Sequence, residues 1–318
     1  MLAQFAIGEE EASEISAFYQ IAKQNGSALT LAELLEATSM VATEADLEAA
    51  WRRNPTLSSR YSLELGLVFE KGERTVDPSS LAAAERQSVE RSRRNLLLAN
   101  ELASLCVDER VKMIAVGGGN SYRRSGPRDD IDLFCVTAKD SLWIFMLRSL
   151  LLARLYSFGR RGSPPFCFSY VLDEGRAHAD FRTSDDGLFA RDALMAFVLH
   201  GRRFYQSLLT ESPWMRRYFP VLYNRKSGGK GFFWTREEGV TGARPASRIA
   251  NSFLYHTVGT YIRMKAYLLN GRFLRQGNLS SVFRAKVATD CCIYESNRYR
   301  RLREIYDDAP RRARGSKP

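Results

Sequence analysis

The sequence predicts an α+β chain. A mixed sheet with helices forms its centre, a winged-helix-like module precedes it, and a helical region follows it. Capped helical patterns followed by one alternating run fill residues 1–76. Two apolar strand-like runs meet a glycine turn within residues 77–205. Helical periodicity and basic charge dominate residues 206–306, and the tail 307–318 lacks the apolar content to fold, so it is expected to be disordered.

In chain order, residues 10–24 read as a first helix that ends at Gly26. "TLAELLEA" and "TEADLEAAWRR" each begin with a capping-box spacing, Thr30 with Glu33 and Thr43 with Asp46. "YSLELGLVFEKGE", residues 61–73, alternates as a strand pair or wing with a turn at Gly72. "DPSS" is a linker and cap for a long helix from about Leu81 to Leu105. "KMIAVGGG" and "DIDLFCVT" are the first two strands of the central sheet, and Asp140 or Ser141 caps an apolar helix over 141–157. "FCFSYVLD" is the next strand, with "DEG" as a turn and "RAHADF" as its hairpin partner. "DDGLFARDALMAFVLHG", "SRIANSFLYHTVGTYIRMKAYLLNG" and roughly 281–306 read as helices.

Charge is unevenly spread. Residues 1–50 hold one Lys and nine Asp/Glu, a net of −8. Residues 221–318 hold 20 Lys/Arg and seven Asp/Glu, a net of +13. A winged-helix module suggests DNA binding, but Glu44, Asp46 and Glu48 on its recognition helix would repel phosphates, so a protein contact or plain scaffolding is the expected role. The basic C-terminal region instead attracts anionic partners. "MLAQFAIGEEEASE" has no basic start followed by an apolar block, so no secretory leader is expected. The apolar window 141–158 is interrupted by Arg148 and Arg154, which argues for a buried helix and no membrane span. Five cysteines without a C-x-x-C or Cys/His cluster point to reduced core thiols in a cytoplasmic protein and to no zinc site.

The chemistry concentrates in "IAVGGGNSYRRSGPRDDIDLFCVT", residues 114–137. Asp130 and Asp132 lie two apart, so a strand points both to one face while Ile131 faces the core. Like carboxylates side by side resist burial, and a divalent cation resolves the repulsion: Mg²⁺ takes hard oxygen ligands, commonly one or two carboxylates plus substrate phosphates. A glycine turn leading into a helix leaves backbone N–H groups free for phosphate oxygens. No G-K-[ST] follows the glycines and they do not fit G-x-G-x-x-G, which excludes a Walker A loop and a Rossmann fingerprint.

Strand, Gly-Gly, short helix and Asp-x-Asp on the next strand resemble the DNA polymerase β-like nucleotidyltransferase superfamily. The likeness extends to "LVFEKGE", "DIDLF", the "SLW" helix start, "CFSYVLDE" and "LFARDAL…HG…ESPWMRRYFP", covering roughly residues 10–220. Together these resemble a group that joins an N-terminal winged-helix-like module to a minimal nucleotidyltransferase domain. The resemblance implies a polymerase β-like core and metal-assisted in-line transfer of a nucleoside monophosphate from an NTP to a hydroxyl acceptor. It implies Mg²⁺ (or Mn²⁺) on Asp130 and Asp132, and phosphate contacts at Gly118 and Gly119. At the second glycine position the superfamily often has Ser, a hydroxyl that Gly119 lacks. A third carboxylate on a later strand is also implied, with Asp180 as first candidate, Asp173 as second, and neither as the remaining alternative. If neither serves, the implied protein binds nucleotide or RNA without turnover.

Arg123, Arg124 and Arg128 lie between the glycines and the aspartates, as phosphate contacts or as a solvated loop. "RKSGGKGFFWTREE", 225–238, reads as a connection packing aromatic rings on the core, or as a phosphate- or base-stacking loop. Arg298, Arg301 and Arg303 form a basic helical side, solvated or facing an anionic acceptor such as RNA, a phosphorylated metabolite or an acidic protein. His178, His200 and His256 have no triad spacing and read as structural or surface residues.

Overall fold

The computed structural model describes residues 6–24, 29–37, 43–64, 66–72, 78–127, 129–160, 162–229 and 247–308. The N-terminal part runs α1 (Glu9–Gln24), β1 (Leu29–Thr30), α2 (Leu31–Ala37), α3 (Glu44–Arg53), α4 (Pro55–Arg60), β2 (Tyr61–Glu64) and β3 (Leu67–Glu70). Its strands make an antiparallel sheet in the order β1-β3-β2. Both capping boxes form. Thr30 Oγ1 accepts from the Glu33 N–H at 3.2 Å while Glu33 accepts from the Thr30 N–H at 2.9 Å, and Thr43 and Asp46 repeat the exchange at 3.1 and 3.2 Å. The wing is the β2–β3 pair, but it reverses at Gly66 (φ +75°) and not at Gly72, because strand pairing already runs from Tyr61↔Glu70 to Glu64↔Leu67.

The rest of the chain runs α5 (Pro78–Cys106), β4 (Val111–Val116), α6 (Gly118–Ser121), β5 (Ile131–Thr137), α7 (Leu142–Phe158), β6 (Phe166–Asp173), α8 (Glu174–Thr183), α9 (Gly187–Met195), β7 (Phe197–His200), α10 (Arg202–Thr210), α11 (Pro220–Ser227), α12 (Ser247–Arg275), β8 (Phe283–Val287), β9 (Cys291–Ser296) and α13 (Asn297–Asp308). Six strands form one mixed sheet in the order β7-β4-β5-β6-β9-β8. Only β5 and β6 pair in parallel, and α7 makes the crossover between them. The chain is therefore α+β as expected.

Three elements differ from the sequence reading. "RAHADF" is not a strand: Asp173 caps α8 by accepting from the Arg176 N–H, and Ala177 and Phe181, four apart, bury one helical side. "AFVLHG" leaves its helix and becomes edge strand β7 against β4. The 206–306 region is not purely helical. Residues 283–296 form the β8–β9 hairpin, and β9 pairs with β6, so the C-terminal region completes the central sheet that the 77–205 span was expected to hold alone. The tail beyond Asp308 and most of the 225–238 segment lie outside the described residues.

The sheet is buried on both faces, and β5 shows why its sequence is nearly all apolar. Ile131, Leu133 and Cys135 pack with α5, α7 and α12 on one side. Phe134 and Val136 pack on the other side, in a core that is continuous with Leu34, Trp51 and Tyr61 of the N-terminal part. Among the described residues no helix is long and apolar enough to cross a membrane.

Arg124 ties the two parts together. Its guanidinium is almost fully buried and ion-pairs with Glu33 of α2 and Glu85 of α5. Arg225 repeats the joint more loosely, meeting Glu36 at 2.7 Å. Arg124→Ala leaves two carboxylates facing each other without a counter-charge and is expected to cost about 3–5 kcal/mol of stability. Arg124→Lys should recover only part, since an ammonium cannot replace the fork that serves both partners. Thermal unfolding checks this, and an unchanged Tm in Arg124→Ala contradicts the joint.

Candidate functional site

Asp130 stands just before β5 and Asp132 is the second residue inside it. Both point to the face of Phe134 and Val136, as the two-residue period requires. Two polar contacts hold their carbonyls. The Gly117 N–H donates to the Asp132 carbonyl at 2.9 Å. The Asn120 side-chain amide donates to the Asp130 carbonyl at 2.9 Å. Asn120 in turn accepts from Asn95 of α5 at 2.8 Å, and Asn95 also reaches the Ser125 hydroxyl at 3.1 Å. The long helix, the glycine turn and the carboxylate strand are thus one hydrogen-bonded unit.

The glycines at 118 and 119 have separate reasons. Gly118 has φ +59°, and a Cβ there would lie 2.6 Å from Asp132 Oδ2. A Cβ at Gly119 would press on the Arg124 carbonyl at 3.1 Å and on Asp129 Oδ2 at 3.4 Å, so the turn leaves no comfortable room for a serine. The α6 turn therefore presents bare backbone directly against Asp132.

Strand β6 supplies the opposite wall. Cys167 is the register partner of Asp132, and a bulge follows it before Tyr170 pairs with Phe134. The Cys167 thiol faces the Asp130 carboxylate and the Ser169 hydroxyl faces Asp132, each favouring the ionised carboxylate. One oxygen from each aspartate and the Cys167 Sγ lie within 4.8 Å of one another, and all three residues keep a partly exposed edge. Burial raises Asp130 above the ordinary carboxylate range. Burial and then the neighbouring Asp130 charge push Asp132 up to about 7. Burial, followed by the two carboxylates, pushes the Cys167 thiol well up.

Neither candidate third carboxylate joins this cluster. Asp173 pairs with Thr137, five residues along β5 from Asp132, about 17 Å at strand spacing, and is spent as the α8 cap. Asp180 lies on α8, where Arg176 neutralises it at 2.8 Å and the Tyr170 hydroxyl reaches it at 3.5 Å. The expected phosphate contact Arg124 is likewise committed to Glu33 and Glu85, and Arg128 lies outside the described residues. Arg303 meets Asp186 at 2.8 Å and Glu295 at 3.0 Å, so its charge is paired within the fold although its side chain is partly exposed. His178 joins Arg182 on Glu211, a surface network with no nucleophile.

Sequence reasoning missed Cys167, Ser169, Asn120 and Asp192. Asp192 of α9 accepts from the Tyr122 and Tyr299 hydroxyls, with the Arg191 guanidinium 4.7 Å above the Tyr122 ring. Burial raises Asp192, and its charge also opposes ionisation of Asp132. Two polar residues inside the apolar run "FCFSYVLD", and an Asn directly after the glycines, were the available signals.

Two convergent carboxylates beside bare backbone suit a divalent cation with an anionic ligand. A thiol in the third position does not suit Mg²⁺, which holds to oxygen ligands. No protein-family model, curated protein or solved structure matches the chain.

Asp132 sets a pH dependence. In the folded chain it keeps its proton up to about pH 7, whereas an unfolded Asp loses it near 3.8. Between these values the folded state binds more protons, so stability falls as pH rises through that window and levels off above it. Asp132→Asn has no charge to develop. It is expected to exceed the wild type by about 1–2 kcal/mol at about pH 8, discounted for the solvent-facing edge, and to match it at about pH 4. Urea unfolding at both pH values checks this, and an Asn variant that is less stable at the higher pH contradicts it.

Proposed function

We propose that this chain is a nucleotidyltransferase of the polymerase β-like kind, with Asp130, Asp132 and the Gly118–Gly119 turn as its nucleotide site. The observation that carries the reading is the approach of Gly118 to Asp132, with the bare turn and the carboxylate pair converging on one spot. A divalent cation bound by the pair supplies the positive charge that a triphosphate needs. The chain's own groups do the rest. The Gly117–Asp132 and Asn120–Asp130 hydrogen bonds fix where the carboxylates point. The first turn of α6 offers N–H groups that lack intrahelical partners to phosphate oxygens. In the transfer, the acceptor hydroxyl oxygen bonds the α-phosphorus and the bond from that phosphorus to the bridging oxygen breaks. Pyrophosphate departs, and the hydroxyl proton passes to a carboxylate of the pair or to water.

The charge of residues 221–318, net +13, favours an anionic acceptor such as RNA, a phosphorylated metabolite or an acidic protein. The acidic N-terminal part suits a protein partner better than nucleic acid. A second reading has one observation in its favour: β6 offers Cys167 and Ser169 where a third carboxylate would stand. It is a nucleotide- or RNA-binding protein that keeps the fold without turnover.

Asp130→Asn and Asp132→Asn are expected to lower cation-dependent NTP affinity at least tenfold, about 1.4 kcal/mol, while leaving circular dichroism unchanged. Calorimetric titration of each NTP with and without divalent cation reads this. Release of pyrophosphate then separates turnover from binding alone. Wild-type affinity in both variants overturns the assignment of the site.

A further inference from the structure

The third position of the carboxylate site is held by sulfur. Cys167 sits in register with Asp132, and its Sγ lies within 4.8 Å of an oxygen of each aspartate. By strand alternation Phe168 turns into the opposite core and Ser169 returns to the side of Asp132, so β6 presents a thiol and a hydroxyl to the pair and no carboxylate. Of the five cysteines, Cys167 alone is partly exposed; Cys106, Cys135, Cys291 and Cys292 are buried. On the open side Gly118 keeps the space above Asp132 free of any side chain, since a Cβ there would stand 2.6 Å from Oδ2.

This donor set disagrees with Mg²⁺ and agrees with a thiophilic ion. Mg²⁺ requires near-octahedral oxygen coordination. Zn²⁺ accepts Cys sulfur at about 2.3 Å and carboxylate oxygen at about 2.0–2.2 Å, in a tetrahedron whose ligand atoms are about 3.4–3.6 Å apart. Three ligand atoms within 4.8 Å of one another need only a small closure to reach that spacing. Three protein ligands also leave the fourth position open, as in sites where the ion meets substrate.

We propose that Asp130, Asp132 and Cys167 form a three-ligand site for a thiophilic divalent cation of the Zn²⁺ class, with the fourth position facing the Gly118 turn for water or a nucleotide phosphate oxygen. The inference rests on the carboxylate pair being the cation site of the proposed function, and it changes which cation that site takes. Thiolate ligation favours Zn²⁺ and Co²⁺ over Mg²⁺ and Mn²⁺.

The test is a Co²⁺ titration of the reduced full-length chain under anaerobic conditions, followed by absorption. The wild type is expected to show a near-ultraviolet sulfur-to-cobalt charge-transfer band that Zn²⁺ displaces and a large excess of Mg²⁺ does not. Cys167→Ser should lose the band and bind Co²⁺ at least about tenfold more weakly. Asp132→Asn should also weaken Co²⁺ binding. Cys167→Asp, measured by calorimetry, should gain Mg²⁺ affinity and lose Zn²⁺ affinity; should that variant fail to fold, Cys167→Ser still decides. A Cys167→Ser chain that keeps the wild-type affinities, with no band in either protein and binding still lost in Asp132→Asn, overturns the sulfur ligand and leaves the proposed function standing. Binding of no cation by the wild type overturns both.

Discussion

Two carboxylates of like charge lie side by side at the end of β5, and the surrounding backbone bears the cost of keeping them there. Burial raises Asp130, and burial followed by the neighbouring Asp130 charge carries Asp132 to about 7. Nothing intrinsic to a strand favours this arrangement. It persists because Asn120 and Gly117 hold the two carbonyls, Asn95 anchors Asn120 to α5, and Cys167 and Ser169 face the carboxylates from β6. Such a locally unfavourable constellation, over-determined by its frame, is a sign of a functional site.

The wider fold serves that frame. Helix α5 carries Asn95 and Ser92 to the turn and also meets the N-terminal part through Glu85 and Arg124. The acidic excess of the N-terminus is partly spent on this joint, with Glu33 and Glu36 each paired to an arginine of the later chain. At the other edge, β9 covers β6 by pairing Tyr170, Val171 and Leu172, which fixes the strand that presents Cys167. The C-terminal region is therefore part of the sheet that holds the site and not an appended layer.

Much of this was legible in the sequence. The capping boxes, the long helix, β4, β5 and the shared face of Asp130 and Asp132 follow from spacing alone. The β8–β9 hairpin was missed although Phe283, Ala285 and Val287 alternate with Arg284 and Lys286, the pattern of a charged edge strand. Helix α8 was missed because Ala177, Ala179 and Phe181 imitate a strand alternation, and only the Asp173 cap and the Arg176–Asp180 pair reveal its true period. The role of Cys167 was not legible, because it depends on a parallel register and a bulge that bring residues 35 apart into one cluster. Arg124 misled for a similar reason: its neighbours in sequence suggest phosphate, while its neighbours in space are Glu33 and Glu85.

On the proposed function, the carboxylate pair and the glycine turn together hold a cation and a nucleotide triphosphate. The most direct measurement is an anomalous difference map from crystals of the full chain grown with a non-hydrolysable NTP and Zn²⁺ or Mn²⁺. A cation peak bounded by the Asp130 and Asp132 carboxylates is expected, with phosphate oxygens against the Gly118–Gly119 backbone. A nucleotide bound elsewhere with no peak between the two aspartates would contradict it.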